Sequence, residues 1–400
     1  MLAPFPRIAI TGMGIVSALG RGCQATLESL LECRSGVGAM SVLDSVHADL
    51  PVGEVKMTTD ALAEALGLSP SAPTTRSALL GLMAIDEALG GAGLSSGSLA
   101  EAAFVSATTV GGMDQSERYY LDFLSGDSRN DYIALHDVGA CTDLMASRYG
   151  PVAYAASVST ACSSAANAII HGARLIASGE RRLAIVGGTE CLTRFHLNGF
   201  NTLLILDHRR SRPFSASRAG LNLGEGAAYL VLEEEEAALE RGATPLAYVT
   251  GWGNACDAFH QTATSAEGEG AYLAMKQALA RAGLSPSAIS YVNAHGTGTP
   301  DNDRSEFAAM QRLFGRELPP FSSTKPFTGH TTSASGSIES VICLLAMQQG
   351  FIPPNLSEGA MLSPLCRPVA ALQRGQTLRH VMCNSFGFGG NDSAIVFSQR

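Results

Sequence analysis

Lysine is nearly absent from this chain. Among 400 residues only Lys56, Lys276 and Lys325 are lysines, and arginine carries the rest of the positive charge. Lysine is therefore not a general solubiliser here, and one inside a motif stands out. Charge of either sign is sparse, at 16% against 46% hydrophobic residues, the reverse of the balance that keeps a chain disordered. Positive charge is outnumbered, 27 to 36, for a net charge of −9, which argues against a broad basic face for nucleic acid. Long hydrophobic runs are missing: stretches such as Val341–Met347 fall far short of the roughly 18 residues that span a bilayer. The opening MLAPFPRIAITGMGIV lacks a basic region followed by a clean apolar stretch, so no secretory signal is expected. The nine cysteines (Cys23, Cys33, Cys141, Cys162, Cys191, Cys256, Cys343, Cys366 and Cys383) include no CxxC pair and match no zinc spacing. They read as reduced thiols of a cytoplasmic protein without a metal site.

Glycine, by contrast, is abundant, at 43 residues, and implies many tight turns and close backbone approaches. Short β-branched runs alternate with Ala/Leu-rich stretches. Strands are expected at Arg7–Ile10, Phe104–Ser106, Leu183–Val186, Ala228–Leu232, Ala247–Thr250 and Tyr291–Asn293. Helices are expected at Gln24–Glu32, Arg76–Leu89, Ser163–Ser178, Gly270–Arg281 and Ser337–Gln349. The chain closes on Arg379–Phe386, a glycine turn, and Ser393–Phe397. This interleaving predicts an α/β layered fold. Arg7-Ile-Ala-Ile-Thr-Gly-Met-Gly echoes Ala247-Tyr-Val-Thr-Gly-Trp-Gly, each read as a strand ending in Thr-Gly-x-Gly. The echo fits a duplicated unit, residues 1–241 and 242–400, divided after Glu233–Glu236, which reads as a solvated helix start.

Three segments carry chemistry. In Val158-Ser-Thr-Ala-Cys162-Ser-Ser-Ala-Ala-Asn, a strand-like run ends in small residues and a long helix begins, with Cys162 at the turn. A thiol there meets the positive end of a helix dipole, which favours the thiolate, and small neighbours admit a substrate. A buried structural cysteine is the commoner fate of a single Cys. In Tyr291-Val-Asn-Ala-His295-Gly-Thr-Gly-Thr, a strand delivers His295 into a glycine loop at its carboxyl end, where α/β sheets gather ligands. In Thr324-Lys325-Pro-Phe-Thr-Gly-His330-Thr-Thr-Ser-Ala-Ser-Gly336-Ser-Ile-Glu339, a loop holds Lys325 and His330, and Glu339 on the following helix is placed to pair with Lys325. A weaker fourth, Asn384-Ser-Phe-Gly387-Phe388-Gly389-Gly390, is a turn able to present a backbone N–H to an oxyanion.

Together with Ile8–Gly14, Arg212-Pro-Phe-Ser through Gly226, and Asp257-Ala-Phe-His260, these segments resemble the elongating β-ketoacyl-acyl-carrier-protein synthases of the thiolase fold over nearly the whole chain. The resemblance implies duplicated α/β halves in five layers (α-β-α-β-α), usually as a dimer. It implies that Cys162 takes an acyl group from a carrier thioester, with the N–H groups of Cys162 and Phe388 as the oxyanion hole. His295 and His330 would bind the malonyl thioester carbonyl and stabilise the enolate after decarboxylation. Lys325, held by Glu339, would organise the site, and Phe388, between Gly387 and Gly389, would gate it. No cofactor is implied.

The implied partner is an acyl carrier protein loaded with acyl or malonyl groups. Because carrier proteins are acidic, docking would fall to a local basic patch, with Arg209 and Arg210 the densest cluster and Arg76 resembling a second family contact. Two segments depart from the family pattern. After His330 the family usually has Leu-Gly-Ala-Ala-Gly, here Thr331-Thr-Ser-Ala-Ser-Gly336; after the glycine turn it usually has Thr-Asn, here Asn391-Asp392. These changes point away from ordinary fatty-acid synthesis, toward a type II polyketide or polyene pathway, where such a synthase pairs with a similar chain-length subunit. A homodimer stays open beside that heterodimer. The competing readings are a non-catalytic chain-length subunit, which typically lacks the cysteine; a thiolase, which needs a second active cysteine; and a cysteine hydrolase.

Overall fold

The computed structural model describes residues 6–126 and 129–399. Ten strands build its main sheet: β1 Ile8–Ser17, β2 Ala103–Ala107, β3 Tyr154–Val158, β4 Leu183–Glu190, β5 Gly226–Glu234, β6 Ala247–Cys256, β7 Tyr291–Asn293, β8 Phe321–Ser322, β9 His380–Gly387 and β10 Asn391–Ser398. The two-residue strand Gly20–Arg21 folds back on β1. Seven helices position the site: α1 Arg76–Ala92, α2 Met113–Leu124, α3 Ser164–Ala177, α4 Arg194–Thr202, α5 Glu269–Ala282, α6 Pro300–Phe314 and α7 Ser335–Gln349. No helix among the described residues is long and apolar enough to cross a membrane.

Strand order is β8-β7-β9-β10-β6-β1-β5-β4-β2-β3. Read outward from the centre, β1-β5-β4 and β6-β10-β9 are both antiparallel. The continuations β4-β2-β3 and β9-β7-β8 are both parallel. The halves meet where Ile8–Ile10 pairs antiparallel with Ala247–Val249. Each strand alternates between two cores, as a period of two requires. On β5, Ala228, Leu230 and Leu232 face inward with α3 and α7, while Ala227, Tyr229 and Val231 face outward with α1. In the other half, Met382, Ala394 and Val396 pack outward with α5 and α6. The layers run α1, sheet, α3 and α7, sheet, α5 and α6: the five layers expected. Sandwiched between the two halves of the sheet, α7 is buried on every side from Ser335 to Met347, and over that span its residues are small or apolar except Glu339.

The paired Thr-Gly-x-Gly segments have a common cause. A Cβ at Gly12 or Gly14 would lie 2.1 Å from the carbonyl oxygens of Ala88 or Ala84 on α1. At Gly251 or Gly253 it would lie 2.2 or 2.0 Å from those of Ala278 or Ala274 on α5. Each half seats one outer helix directly on the backbone of its central strand. The strands do not end at these glycines, as the sequence reading had it, but run on to Ser17 and Cys256, because ladder bonds continue past them. The glutamate run is not simply solvated: Glu233 is 3% exposed and paired with Arg241, and Glu235 bonds Arg7.

Gly253→Ala must push α5 off the strand, so a loss of roughly 1–3 kcal/mol is expected. Equal denaturant midpoints for wild type and variant would show that this close approach is dispensable.

Candidate active site

Cys162 sits between β3 and α3 on a strained elbow. Ala161 just before it has φ +53°, a left-handed conformation costly for a residue with a Cβ. Local bonds hold it: Thr160 N–H donates to Ser164 Oγ (2.8 Å), and Ser164 Oγ donates to the Ala161 carbonyl (2.6 Å). Behind the elbow, Asn391 Oδ1 accepts from Ser163 Oγ (2.8 Å), Asn167 Nδ2 (2.7 Å) and Asn254 Nδ2 (2.9 Å). This network joins three distant segments, and the sequence reading noted Asn391 only as a departure.

The Cys162 side chain is buried, and Phe388 N–H donates to its sulfur. Burial pushes the thiol up to about 11, although Lys325 and the Phe388 N–H pull the other way. The helix N-terminus alone does not make this cysteine a thiolate, because desolvation outweighs it.

His295 leaves the end of β7 into a loop fixed from below. Its backbone N–H and that of Gly296 donate to the two carboxylate oxygens of Glu306, at 2.8 and 2.7 Å. Gly296 is at φ +37°, and a Cβ there would lie 2.6 Å from Ser323. Lys325 uses its ammonium on Glu339 Oε1 (2.5 Å), the His295 carbonyl (2.6 Å) and His295 Nδ1 (3.2 Å). Since a lysine ammonium only donates, Nδ1 must accept, and the His295 proton lies on Nε2. Burial, with Lys325 close by, holds His295 and His330 well below the ordinary imidazole range. Both rings are neutral. They meet edge to face with centroids 5.3 Å apart, and His330 Nδ1 is 2.9 Å from Ser335 Oγ. Burial also pushes the Glu339 carboxyl up to about 7 against the pull of Lys325. Glu339 Oε2 and the side-chain oxygens of Asn293, Asn384 and Ser385 have no hydrogen-bond partner among the described residues.

Phe388 begins a short 3₁₀ turn whose Gly389 and Gly390 have φ +81° and +79°. Its ring stacks on Phe200 of α4, centroids 6.0 Å apart at 19°. Cys162, His295, His330 and Phe388 line one cavity of about 360 Å³, while Lys325 and Glu339 stand behind the histidine wall. Phe200, Thr297 and Thr299 share the cavity wall and were not singled out from sequence. The Gly-Thr-Gly-Thr loop was the available signal for the threonines.

The three arginines part company. Arg209 is exposed and Arg210 half-buried, following Leu203–Ile205 on the cavity wall. Arg76 is only 6% exposed and cannot serve as a docking contact: its guanidinium is spent on Glu225 (2.9 and 2.6 Å) and on the Val55 and Met57 carbonyls. A separate cavity of about 460 Å³ surrounds that pair and holds none of the four cavity residues above.

Known proteins share the fold of this chain and much of its sequence. The family model for the β-ketoacyl synthase N-terminal domain matches residues 6–238, and that for the C-terminal domain matches 246–358. The chain is 33% identical over 413 residues to 3-oxoacyl-[acyl-carrier-protein] synthase 2 of Coxiella burnetii, covering 98% of both. It is 34% identical over 407 residues to Nodulation protein E of Rhizobium meliloti, covering 98% of this chain and 99% of the relative. Among solved structures, a chain of the ishigamide ketosynthase/chain length factor superposes with a TM-score of 0.91 at 28% identity, over 99% of this chain and 100% of that one. With thiolase-type layering, an elbow cysteine and two histidines in one cavity, and family matches along most of its length, this chain belongs to the β-ketoacyl synthase family.

Proposed function

We propose that this chain is a 3-oxoacyl-[acyl-carrier-protein] synthase acting in fatty-acid or type II polyketide or polyene biosynthesis. The observation that carries the reading is the shared cavity: a buried thiol meeting the Phe388 N–H, opposite two neutral imidazoles. The reading treats residues 1–241 as the half that supplies the nucleophile and 242–400 as the half that supplies the histidines.

Cys162 sulfur attacks the acyl thioester carbonyl of a loaded carrier protein. Its proton passes through a neutral imidazole to the departing carrier thiol, so protons balance. The N–H groups of Cys162 and Phe388 stabilise the tetrahedral oxyanion. Malonyl carrier protein then enters, and its thioester carbonyl accepts from the imidazole N–H groups. Nε2–H of His295 is available because Lys325 occupies Nδ1. Loss of carbon dioxide leaves an enolate, whose carbon attacks the acyl-Cys carbonyl. Collapse frees the Cys162 thiolate, which takes one proton, and releases a 3-oxoacyl thioester two carbons longer.

Nine free cysteines support a cytoplasmic location. For a dimer partner, the observations are β3, an edge strand paired only with β2 among the described residues, and Tyr120, Leu121 and Leu124 exposed on α2. A second copy or a chain-length subunit fits both. The second reading, a non-catalytic chain-length subunit, finds support in the ketosynthase/chain length factor neighbour but has no use for the elbow thiol.

Intact-mass spectrometry after incubation with acyl carrier protein thioesters should show one acyl group added, absent in Cys162→Ala. No addition, with or without a co-expressed partner subunit, would favour the non-catalytic reading. With its thiol pushed up to about 11, Cys162 is ionised in only about one molecule in ten thousand at pH 7. Its alkylation by iodoacetamide should rise about tenfold per pH unit from 7 to 9; a plateau below pH 8 would contradict the buried-thiol account. Arg209→Glu/Arg210→Glu should raise the KM for carrier protein about tenfold at low salt and leave kcat nearly unchanged. An unchanged KM would remove these arginines from docking.

A further inference from the structure

A third histidine lies behind the cavity wall, and nothing so far uses it. His196 is 8% exposed, in the first turn of α4. Its position is fixed from both ends. The N–H groups of Arg194 and Phe195 donate to Glu117, and that of His196 donates to Thr193 Oγ1 (3.1 Å), so the start of α4 is capped. Its ring has Nε2 3.7 Å from Glu190 Oε1, beyond a direct hydrogen bond, and burial holds the imidazole below its ordinary range, so it lies beside the carboxylate as a neutral ring. The ring also meets Phe195, tilted at 6.3 Å, and Phe200, edge to face at 5.9 Å and 72°.

Glu190 is fully buried at the carboxyl end of β4, and its carboxylate gathers donors from two further segments. Thr108 Oγ1 (3.0 Å), Thr109 N–H (2.9 Å) and Thr109 Oγ1 come from the loop after β2. Ser333 Oγ comes from the loop that carries His330. A continuous line of contacts therefore runs from Glu190 through His196 and Phe200 to Phe388, whose N–H meets the Cys162 sulfur.

We propose that His196 is a positioning residue for the aromatic gate: fixed by the capped start of α4 beside Glu190, it keeps Phe200 stacked beneath Phe388 and so sets which acyl groups reach Cys162. The inference rests on the ketosynthase reading above. Phe388 cannot swing aside without parting from Phe200, and Phe200 is itself in T-shaped contact with the His196 imidazole rather than with a yielding aliphatic chain. The Ser333 contact ties the same carboxylate to the His330 loop, so gate and enolate site share one anchor.

The test compares rates of Cys162 acylation by hexanoyl- and hexadecanoyl-carrier protein, read by intact mass. His196→Gln keeps a donor facing Glu190 and removes the ring. It should change the hexanoyl-to-hexadecanoyl rate ratio about fivefold, the size of one aromatic contact. Phe200→Leu should shift the ratio in the same direction, and adding His196→Gln to it should change nothing more, because both act through one ring. A His196→Gln ratio equal to wild type, or additive effects in the double variant, overturns the proposal. Should His196→Gln fold poorly, His196→Asn and Phe200→Leu carry the same comparison. Wild type that is never acylated sinks the ketosynthase reading and this inference with it; wild type acylated with an unchanged variant ratio sinks this inference alone.

Discussion

One backbone contact holds the two halves of the chemistry together. Gly336, near the start of α7, lies so close to α3 that a Cβ there would stand 2.6 Å from the Ala166 nitrogen. The elbow of Cys162 leads into α3, and the His330 loop leads into α7. Bringing those helix starts together brings nucleophile and imidazole to one cavity. The small residues at both helix starts follow from this, since a larger side chain would separate the sulfur from the ring. So does the burial of both helices between sheets, which removes any freedom to slide.

That placement has an electrostatic cost. It buries a lysine, two glutamates and two histidines where water cannot reach them, and an isolated charge there would be untenable. Pairing resolves it. The Lys325 ammonium meets Glu339 and the His295 carbonyl, while Glu306 accepts the two N–H groups that orient His295. What remains unpaired by design of the pocket is neutral: two imidazoles and a protonated thiol. A cavity of neutral donors beside one buried cation suits a reaction whose negative charge appears on substrate oxygens in the transition state rather than at rest. A resting thiolate would have had to be desolvated before each acyl transfer.

The sequence made legible whatever is local. Strand Tyr291–Asn293 falls where its β-branched pattern places it, and the helix after Cys162 is displaced by one residue at each end. The repeated Thr-Gly-x-Gly told of duplication because both copies obey the same packing rule. What it could not tell was which charges find partners far along the chain. Arg76 reads as a surface contact until Glu225, 149 residues away, is seen folded against it. Asn391 reads as a substitution until Ser163, Asn167 and Asn254 converge on it. Helices α2, α4 and α6 were missed because they are polar on average, although each keeps an amphipathic face for packing; of the three only α4 has a side-chain N-cap, from Thr193.

The two departures from the family pattern are connected by the same logic of partners. Adding hydroxyls to a buried loop is costly unless each finds an acceptor. In the loop after His330 most do: Ser335 faces His330 and Thr331, and Ser333 bonds Glu190. Thr332 alone keeps a buried hydroxyl without a partner, and it is also held at φ +42°. At the glycine turn, Asn391 supplies an acceptor for three donors behind the elbow, while its neighbour Asp392 is buried near Asp257 and Glu306 and is pushed up to about 8. In both segments most of the polar residues have partners in place. Without those partners each buried hydroxyl or amide would bear its full desolvation, so the polarity of both segments stands or falls with the network that receives it.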